Sequence, residues 1–222
     1  MRVVIFGSGT LAELAYYYLR QEMKANVEGF VVDKLNKELS NEFKLNNLPI
    51  YSWSDFVKKF RPDQVKIHIA IAYKNMRNKK KVFERVLSAG FNLINIVSKS
   101  AYISEDTILG LNNFIMPNVV LEPFTRIGNN NIIWSNSTIC HNTHIGNHNF
   151  LASNVTFGGK SKVGDLCFFG FSSTITDYIN VENEVLLAAN SFLNKDAKTL
   201  TRFQGNPAEK FSKININEGI IF

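Results

Sequence analysis

Over the first hundred positions, short apolar runs alternate with segments whose apolar residues recur every three or four positions. The short runs are typical of buried strands and the periodic segments of helices. Their alternation predicts a small parallel sheet covered by helices. The predicted strands are Val3–Phe6, Val27–Val32, Val65–Ile71 and Phe91–Val97, and the predicted helices are Leu11–Arg20, Trp53–Phe60 and Asn75–Ala89.

From Ile103 the apolar spacing changes to six. The first position of each hexad is Ile, Leu, Val or Phe in fifteen consecutive hexads, from 103 to 192. At the chain's hydrophobic content of 45%, chance would give such a run with a probability on the order of one in 100,000. Neither a helix nor a flat strand has this period. It predicts a coil of three short sides and 18 residues, repeated about five times, with Gly and Asn at corners that need positive φ.

Composition sets limits on the class of protein. The chain has 222 residues, 45% hydrophobic and 20% charged, which excludes an intrinsically disordered protein. Two cysteines, Cys140 and Cys167, exclude a disulfide scaffold and predict reduced thiols in a cytoplasmic protein. No apolar run approaches the roughly 18 residues that span a bilayer, and no signal peptide is evident. The net charge of +6 fits an anionic ligand as readily as nucleic acid.

Several stretches resemble one enzyme family. With the hexads, they make the chain similar to the hexapeptide-repeat acyltransferases, and within these to the nucleotide-sugar N-acetyltransferases of the bacillosamine and perosamine type and a related sialic acid O-acetyltransferase family. The stretches are IFGSG (5–9), IAI (69–71) followed by Met76-Arg77, GFNLINIVSKSAYIS (90–104), IMPNVV (115–120), TICHNTHIG (138–146) and GNPAEK (205–210).

This resemblance implies a fold and a domain organisation. Residues 1–100 would form an α/β, Rossmann-like domain that binds a nucleotide sugar. Residues 101–222 would form a left-handed parallel β-helix of about five coils, with acyltransferase activity and a C-terminal extension. The resemblance also implies a homotrimer with active sites between subunits. It further implies that the net positive charge serves to bind CoA and sugar diphosphates rather than nucleic acid.

The candidate catalytic residues are His141, Asn142 and Gly159. His141 lies where the family carries its general base, and histidine titrates near neutral pH. The family usually follows this histidine with Glu or Asp, whereas this chain has Asn142, which can orient the imidazole but cannot neutralise an imidazolium. Gly159 follows 18 residues later, one coil above. In the family, a main-chain N–H at this position polarises the thioester carbonyl.

The resemblance implies acetyl-CoA as co-substrate, bound in a groove between neighbouring β-helices, and no metal. Phe171 and Ala189 would line this groove. Phe150 is a further candidate for this groove. It aligns with a family position that often holds a second histidine, but a phenylalanine cannot take over the role of that histidine. Lys195 and Lys210 belong to a basic cluster that could meet the CoA phosphates. The other members of the cluster are Lys160, Lys162, Lys198 and Arg202.

The candidate substrate-binding residues lie near the ends of the predicted strands. Gly7-Ser8-Gly9 follows a strand and opens a helix, where a phosphate can bind. Thr10 stands where the family commonly has His, Asp33 where family members contact the base or ribose, and Ala72-Tyr73 where the family tends to have Gly. The sugar-nucleotide pocket is therefore expected to differ from that of the relatives.

Several other histidine, lysine and cysteine residues are expected to have no role in the chemistry. We expect His68 to be a core histidine, and His144 and His148 to be exposed at a repeat corner. The Lys79-Lys80-Lys81 run is expected to be a solvated helix face. Cys140 is expected to be an inert thiol, because adjacent residues of a strand point to opposite sides.

The resulting hypothesis is an acetyl-CoA-dependent N-acetyltransferase that acts on a nucleotide-linked amino sugar in surface-glycan biosynthesis. Acetyl transfer would be direct, with His141 as base. O-acetylation of a sialic-acid-like sugar stays open, because the same base serves amine and hydroxyl attack. A non-catalytic β-helix that binds a nucleotide sugar or assembles partners is the more distant alternative.

Overall fold

The computed structural model describes residues 1–35 and 47–222. They form two compact units. The first comprises Met1–Ile71 and Lys81–Ile96, and the second comprises Ala72–Lys80 and Val97–Phe222. None of the helices in the described ranges is both long enough and apolar enough to cross a membrane.

The first unit is built on a parallel sheet in the order β3-β2-β1-β4. β1 is central and pairs with β2 and β4. Apolar side chains such as Val4, Val31, Phe56 and Ile67 form a core with helical residues. The elements are β1 (Arg2–Phe6), α1 (Thr10–Gln21), β2 (Asn26–Val32), β3 (Ile50–Ser52), α2 (Trp53–Lys59) and β4 (Lys66–Ile69), and α3 (Met76–Ser88) contributes residues to both units.

In this part the sequence missed one strand and predicted another that is largely absent. β3 was not predicted, since Ile50–Ser52 is too short for a clear period. The predicted fourth strand Phe91–Val97 is largely absent: Leu93 forms one isolated parallel bridge with Ile67, and only Ile96–Val97 is a strand. Polar Asn92 and Asn95 interrupt the apolar run, and asparagine is depleted in strands.

The second unit is a β-helix made of two-residue strands. The two-residue strands pair in parallel with residues 18 positions away, as Ile139 does with Phe157. The last two strands, Thr201–Gln204 and Glu209–Lys213, are longer and pair antiparallel with each other. The repeat and the three stacks of parallel strands indicate a left-handed β-helix. Its strands are β5 (Ile96–Val97), β6 (Tyr102–Ile103), β7 (Ile108–Leu109), β8 (Phe114–Ile115), β9 (Val120–Leu121), β10 (Arg126–Ile127), β11 (Ile132–Ile133), β12 (Thr138–Ile139), β13 (His144–Ile145), β14 (Phe150–Leu151), β15 (Thr156–Phe157), β16 (Lys162–Val163), β17 (Phe168–Phe169), β18 (Thr174–Ile175), β19 (Asn180–Val181), β20 (Leu186–Leu187), β21 (Phe192–Leu193), β22 (Thr201–Gln204) and β23 (Glu209–Lys213).

The first-position residues of the hexads fill the interior of this β-helix. From Ile115 to Leu187 each of them is at most 6% exposed. They form one hydrophobic core, as the hexad pattern predicts. Burial of apolar side chains along the whole axis is what stabilises the stacked coils.

Positive φ falls on the fourth position of the hexads, not on the glycines. From Asn112 to Asn190 every fourth-position residue has a φ between 54° and 64°. Asparagine is frequent there, as the left-handed region favours. The second-position glycines serve a different purpose, because a Cβ on Gly128 would lie 2.6 Å from the carbonyl oxygen of Gly146 in the next coil. The prediction that glycine supplies the positive φ at the corners is therefore wrong, because the second-position glycines do not have a positive φ.

Candidate functional site

The third positions of the hexads form three columns along the corners of the β-helix, each with an 18-residue spacing. We call them the histidine corner (Glu105, Pro123, His141, Gly159, Asp177), the asparagine corner (Leu111, Asn129, Asn147, Asp165, Asn183) and the serine corner (Pro117, Ser135, Ser153, Phe171, Ala189).

His141 is exposed at the histidine corner and is fixed by three hydrogen bonds. Its main-chain N–H donates to Glu122 Oε2 at 2.8 Å, and its carbonyl accepts from Lys160 N–H at 3.0 Å. Its Nδ1 lies 3.1 Å from Asn142 Oδ1. An amide oxygen only accepts hydrogen bonds, so Nδ1 carries the proton in this contact and the lone pair is on Nε2. This is the tautomer of a general base that acts through Nε2.

Gly159 lies directly against the imidazole of His141. A Cβ on Gly159 would be 2.8 Å from both Cε1 and Nε2 of the ring, so only glycine leaves room for this arrangement. The carbonyl of Gly159 accepts from Tyr178 N–H at 3.0 Å. Its own N–H donates to no atom in the part of the chain that the structure describes. An accessible nitrogen lone pair and an unused main-chain donor are thus neighbours.

The carboxylates of Glu122 and Asp177 place negative charge near this corner. Burial raises the pKa of the Cys140 thiol, and the charges of Glu122 and Asp177 raise it further. A thiol with a raised pKa stays protonated and is a poor nucleophile. This environment agrees with an inert role for Cys140.

Lys160 and Tyr178 form an exposed pair beside the corner. Lys160 Nζ donates to the Tyr178 hydroxyl at 3.1 Å and lies 5.1 Å from the centre of its ring. Lys160 directly follows Gly159. Tyr178, in the coil above, therefore holds the ammonium group of Lys160 next to the residue whose N–H is unused.

Phe171 and Ala189 lie on the serine corner rather than with His141. Phe171 is 61% exposed, and its carbonyl accepts from Asn190 N–H at 2.8 Å. Ala189 is exposed one coil above it. Within one chain, the structure therefore keeps these two residues apart from His141 and Gly159.

Phe150 is buried in an aromatic cluster of the second unit. Its ring stacks on Phe168 with a centroid distance of 5.3 Å, and Tyr73 packs edge-on at 4.5 Å. Phe222 contacts both Phe168 and Tyr73. Tyr73, predicted to face the sugar nucleotide, is thus partly engaged by aromatic neighbours, and Ala72 precedes it along the chain.

Lys195 and Lys210 are exposed near the C-terminal hairpin of β22 and β23. Lys195 pairs with Glu209, so its charge is partly compensated. Lys210 lines a cavity of about 420 Å³ together with Lys198 and Lys213. This cavity offers positive charge to an anion, as the sequence suggests for a phosphate group.

In the first unit, the glycine turn lies at the carboxyl edge of the parallel sheet. Gly7 has a φ of 131°, and a Cβ there would be 2.7 Å from Ala70 O. Ser8 is partly exposed, and Gly9 is the N-cap of α1, with open space where a Cβ would point. Thr10, the first residue of α1, is exposed. The N-terminus of α1 is thus accessible, as phosphate binding at this position requires.

Asp33, at the end of β2, forms an ion pair with Arg85 of α3. The guanidinium of Arg85 also lies 5.3 Å from the ring centre of Phe6 and 5.2 Å from that of Trp53. Sequence reasoning missed Arg85, because nothing in the α3 sequence distinguishes it from the other basic residues there. It places a second charged group beside Asp33.

Two expectations about basic residues are wrong. Lys79 is fully buried rather than solvated, and its Nζ donates to Asn149 O at 3.3 Å. Burial lowers the pKa of Lys79 to about 7. His148 is only 5% exposed and accepts at Nδ1 from Asn130 Nδ2 at 2.9 Å. Burial, followed by the charge of Lys79, lowers the pKa of His148 to about 4.

The physical reason differs for the two residues. Lys79 lies three residues after buried Met76, on the same apolar stripe of α3, and the run of three lysines hides this spacing. His148 is a fourth-position residue whose corner is covered. The other two histidines agree with expectation: His68 is 1% exposed with Nδ1 at 3.0 Å from Ile94 O, and His144 is exposed.

Among residues 1–35 and 47–222, no group of three or more His, Cys, Asp or Glu side chains is placed to hold a metal ion.

The comparisons with known proteins agree with the fold. Residues 99–141 match the family described as "Bacterial transferase hexapeptide (six repeats)". PerB from Caulobacter crescentus, solved in complex with CoA and GDP-perosamine, is 21% identical, with 96% of this chain and 98% of that chain covered and a TM-score of 0.84. The acetyltransferase domain of PglB from Neisseria gonorrhoeae FA1090 is 17% identical, with 95% and 99% covered and a TM-score of 0.82. WeeI from Acinetobacter baumannii AYE is 18% identical, with 95% and 100% covered and a TM-score of 0.64.

Proposed function

We propose that the chain is an acyltransferase that moves the acetyl group of acetyl-CoA to the amino group of a nucleotide-linked amino sugar, in the synthesis of a surface glycan. The observation that carries this proposal is the contact of His141 with Gly159: an imidazole with its lone pair on Nε2 lies against a main-chain N–H that no described residue uses. The similarity to PerB, which was solved in complex with CoA and GDP-perosamine, supports it.

Each residue of the pair has one task in the reaction. His141 Nε2 takes the proton of the sugar amine as the amine nitrogen attacks the thioester carbonyl carbon. The Gly159 N–H donates to the carbonyl oxygen as that oxygen gains negative charge. The imidazolium then returns the proton to the departing thiolate of CoA, which leaves the histidine neutral for the next turnover. Asn142 Oδ1 keeps Nδ1 protonated throughout.

The first unit is proposed to be Rossmann-like and to hold the nucleotide. Its glycine turn and the accessible N-terminus of α1 suit a diphosphate, and Asp33 with Arg85 offers charged groups to the ribose or base. Gly7, Ser8, Gly9 and Thr10 would contact the phosphates.

The separation of the corners supports a homotrimer. The proposed base and N–H lie on the histidine corner, whereas Phe171 and Ala189 lie on the serine corner of the same chain. A CoA groove that includes all four residues therefore takes one corner from each of two copies. Lys195 and Lys210 are proposed to meet the CoA phosphates.

The deciding experiment incubates the protein with acetyl-CoA and a panel of UDP-, dTDP- and GDP-linked 3-amino and 4-amino sugars, and follows CoA release. We expect turnover of one class of amino sugar and a loss of at least about 100-fold in kcat for His141→Ala, the usual contribution of a general base. His144→Ala, an exposed histidine of the same corner region, is the control and should keep wild-type activity.

Other outcomes would contradict the proposal in distinct ways. Near wild-type activity in His141→Ala would exclude this base. Turnover of a free sialic-acid-like sugar alone would establish O-acetylation instead. Failure to bind acetyl-CoA in calorimetry would leave a non-catalytic β-helix.

A further inference from the structure

Two columns of exposed fourth-position residues run along the β-helix, and they carry different side chains. Both have the positive φ described above. The column beside the serine corner holds only asparagine and serine, at Asn118, Asn136, Asn154, Ser172 and Asn190. The column beside the histidine corner, which we call the aromatic column, holds Phe124, Asn142, Lys160 and Tyr178. The same conformation and the same exposure thus come with large side chains only beside His141.

Large side chains in the aromatic column are held in an unfavourable backbone conformation. Asparagine adopts the left-handed region at lower cost than phenylalanine, lysine or tyrosine. Phe124 and Tyr178 are both more than half exposed, so burial of their rings does not offset this cost. Residues kept in a costly conformation cluster at ligand sites. The aromatic column therefore points to a molecule that binds beside His141.

The aromatic column adjoins the proposed catalytic pair. Asn142 directly follows His141, and Lys160 directly follows Gly159. The main-chain N–H of Lys160 donates to His141 O at 3.0 Å, and that of Tyr178 donates to Gly159 O at 3.0 Å. These hydrogen bonds fix the column alongside the pair, so a molecule that reacts at His141 also meets the column.

Lys160 brings to this column a positive charge that no carboxylate in the described part of the chain neutralises. Its ammonium donates to the hydroxyl of Tyr178 at 3.1 Å and lies 5.1 Å from the ring centre, but it forms no ion pair there. Lys195, by contrast, pairs with Glu209. A neutral hydroxyl and a ring orient the ammonium of Lys160 and leave its charge to attract an anion.

Both substrates of the proposed reaction carry phosphate, but at different distances from the reacting group. In acetyl-CoA the whole pantetheine arm separates the thioester from the diphosphate. In a nucleotide-linked 3-amino or 4-amino sugar, the amine and the carbon that bears the phosphate belong to one ring. The amine must approach the thioester carbonyl to about 3–3.5 Å before it reacts, so this ring lies close to Gly159. A lysine that directly follows Gly159 is therefore placed for the sugar-linked phosphate.

We propose that the aromatic column binds the glycosyl phosphate part of the acceptor: Lys160 binds the phosphate on the sugar, and Phe124 packs against an apolar face of the sugar ring. Tyr178 positions the ammonium of Lys160. These residues determine the affinity for the acceptor and take no part in proton transfer. The proposal rests on the proposed function, because it places the reacting amine at His141 and Gly159.

The first test measures binding without turnover. Calorimetry compares the wild type, Lys160→Met and Lys162→Met, with CoA and separately with UDP, dTDP and GDP. Lys162 is an exposed lysine of β16 two residues further along and is the matched control. We expect Lys160→Met to bind the preferred diphosphate about 10-fold or more weakly and CoA within about two-fold of the wild type, as expected for one lost charge-assisted hydrogen bond. Lys160→Arg keeps the charge and should retain most of the affinity.

The second test measures kinetics with the amino sugar that the CoA-release panel identifies. Lys160→Met and Phe124→Asn should each raise the KM for this acceptor by about 5-fold or more and leave the KM for acetyl-CoA within about two-fold. Asparagine suits the φ of 64° at position 124, so Phe124→Asn should fold, and thermal unfolding of each variant verifies this. A merely structural role for Phe124 would change the Tm and leave the acceptor KM as it is.

Three results of the binding test would overturn the proposal. The first is a diphosphate affinity that Lys160→Met leaves unchanged or that Lys162→Met lowers equally. The second is a loss of CoA affinity alone in Lys160→Met, which would assign Lys160 to the phosphates of CoA. The third is a wild type that binds none of the three diphosphates. Failure of the proposed function is seen separately, as an active His141→Ala variant or as an absence of acetyl transfer while diphosphate binding still depends on Lys160.

Discussion

The contact of His141 with Gly159 depends on a single missing atom. The imidazole occupies the space where a Cβ at position 159 would stand. The φ of Gly159 lies outside the left-handed region, so alanine would meet no backbone strain there. The glycine is therefore needed for the close approach of the ring.

The lack of space for a Cβ at position 159 predicts that a larger residue there impairs catalysis rather than folding. In Gly159→Ala the new Cβ would lie 2.8 Å from Cε1 and Nε2, so the imidazole must turn away. We expect kcat to fall by about 10-fold or more, since small misplacements of a base cost this much. Tm should stay within about 2 °C, because His141 is exposed and its ring can turn towards solvent. Leu111→Ala, a third-position alanine on another corner, is the control, and equal kcat in both variants would contradict the prediction.

For individual residues, the sequence predicts which positions lie close together better than it predicts which side chains are in contact. The spacing of 18 residues correctly predicts that His141 and Gly159 are neighbours in adjacent coils. It cannot predict Glu122, because a side chain that reaches a main-chain N–H from the coil below depends on its rotamer. The pairing of Arg85 with Asp33 is likewise a contact between distant elements that no local pattern indicates.

Among the elements, the corners are where local conformation matters most. Each fourth-position residue adopts a positive φ, which costs asparagine less conformational energy than it costs larger side chains. Phe124 has a φ of 64° and is 56% exposed, so it pays this conformational cost without burying its ring. The hexad frame shows where the corners lie. It did not identify the fourth position as the left-handed one, because glycine is concentrated at the second position for close packing between coils.

The strain at Phe124 leads to a stability prediction. Phe124→Asn should increase the free energy of unfolding by about 0.5–1 kcal/mol, because asparagine adopts the left-handed region at lower cost. Phe171→Asn is the matched control: Phe171 is 61% exposed at a third position, and its φ is not positive. Chemical denaturation with a common m value measures both variants. A gain for Phe171→Asn as large as for Phe124→Asn would show that strain is not the cause.

On the scale of the whole molecule, a buried polar cluster links folding to pH. Asn112, Asn130 and His148 form a hydrogen-bonded column across three coils, with distances of 2.8 and 2.9 Å. Lys79 is buried beside it without an ion pair to any described carboxylate, and its charge disfavours protonation of His148. Asp165 opposes this effect only in part, and Lys80 adds to it. The native state therefore favours a neutral histidine.

The pH dependence follows from this preference. The pKa of His148 is about 4 in the folded protein and 6.5 in its ordinary state, so between these values the unfolded chain binds more protons and stability falls as pH falls. The full shift corresponds to about 3 kcal/mol. His148→Asn extends the asparagine column and cannot titrate, and asparagine suits the φ of 63°. We expect denaturation curves of the two proteins to agree near pH 7 and to separate towards pH 4, with the wild type less stable. A difference in stability between the two proteins that stays the same from pH 7 to pH 4 would contradict this prediction.

The 18-residue register also restricts how the chain can change in length. Removing or adding 18 residues before Ile139 or after Phe157 would replace one coil with another and keep every later strand in its own stack, as the pairing of Ile139 with Phe157 requires. A change of six residues between His141 and Gly159 would instead turn the rest of the β-helix by one side and carry Gly159 to a different corner. Natural variants of this protein should therefore gain or lose whole coils at either end of the pair and tolerate no insertion within it.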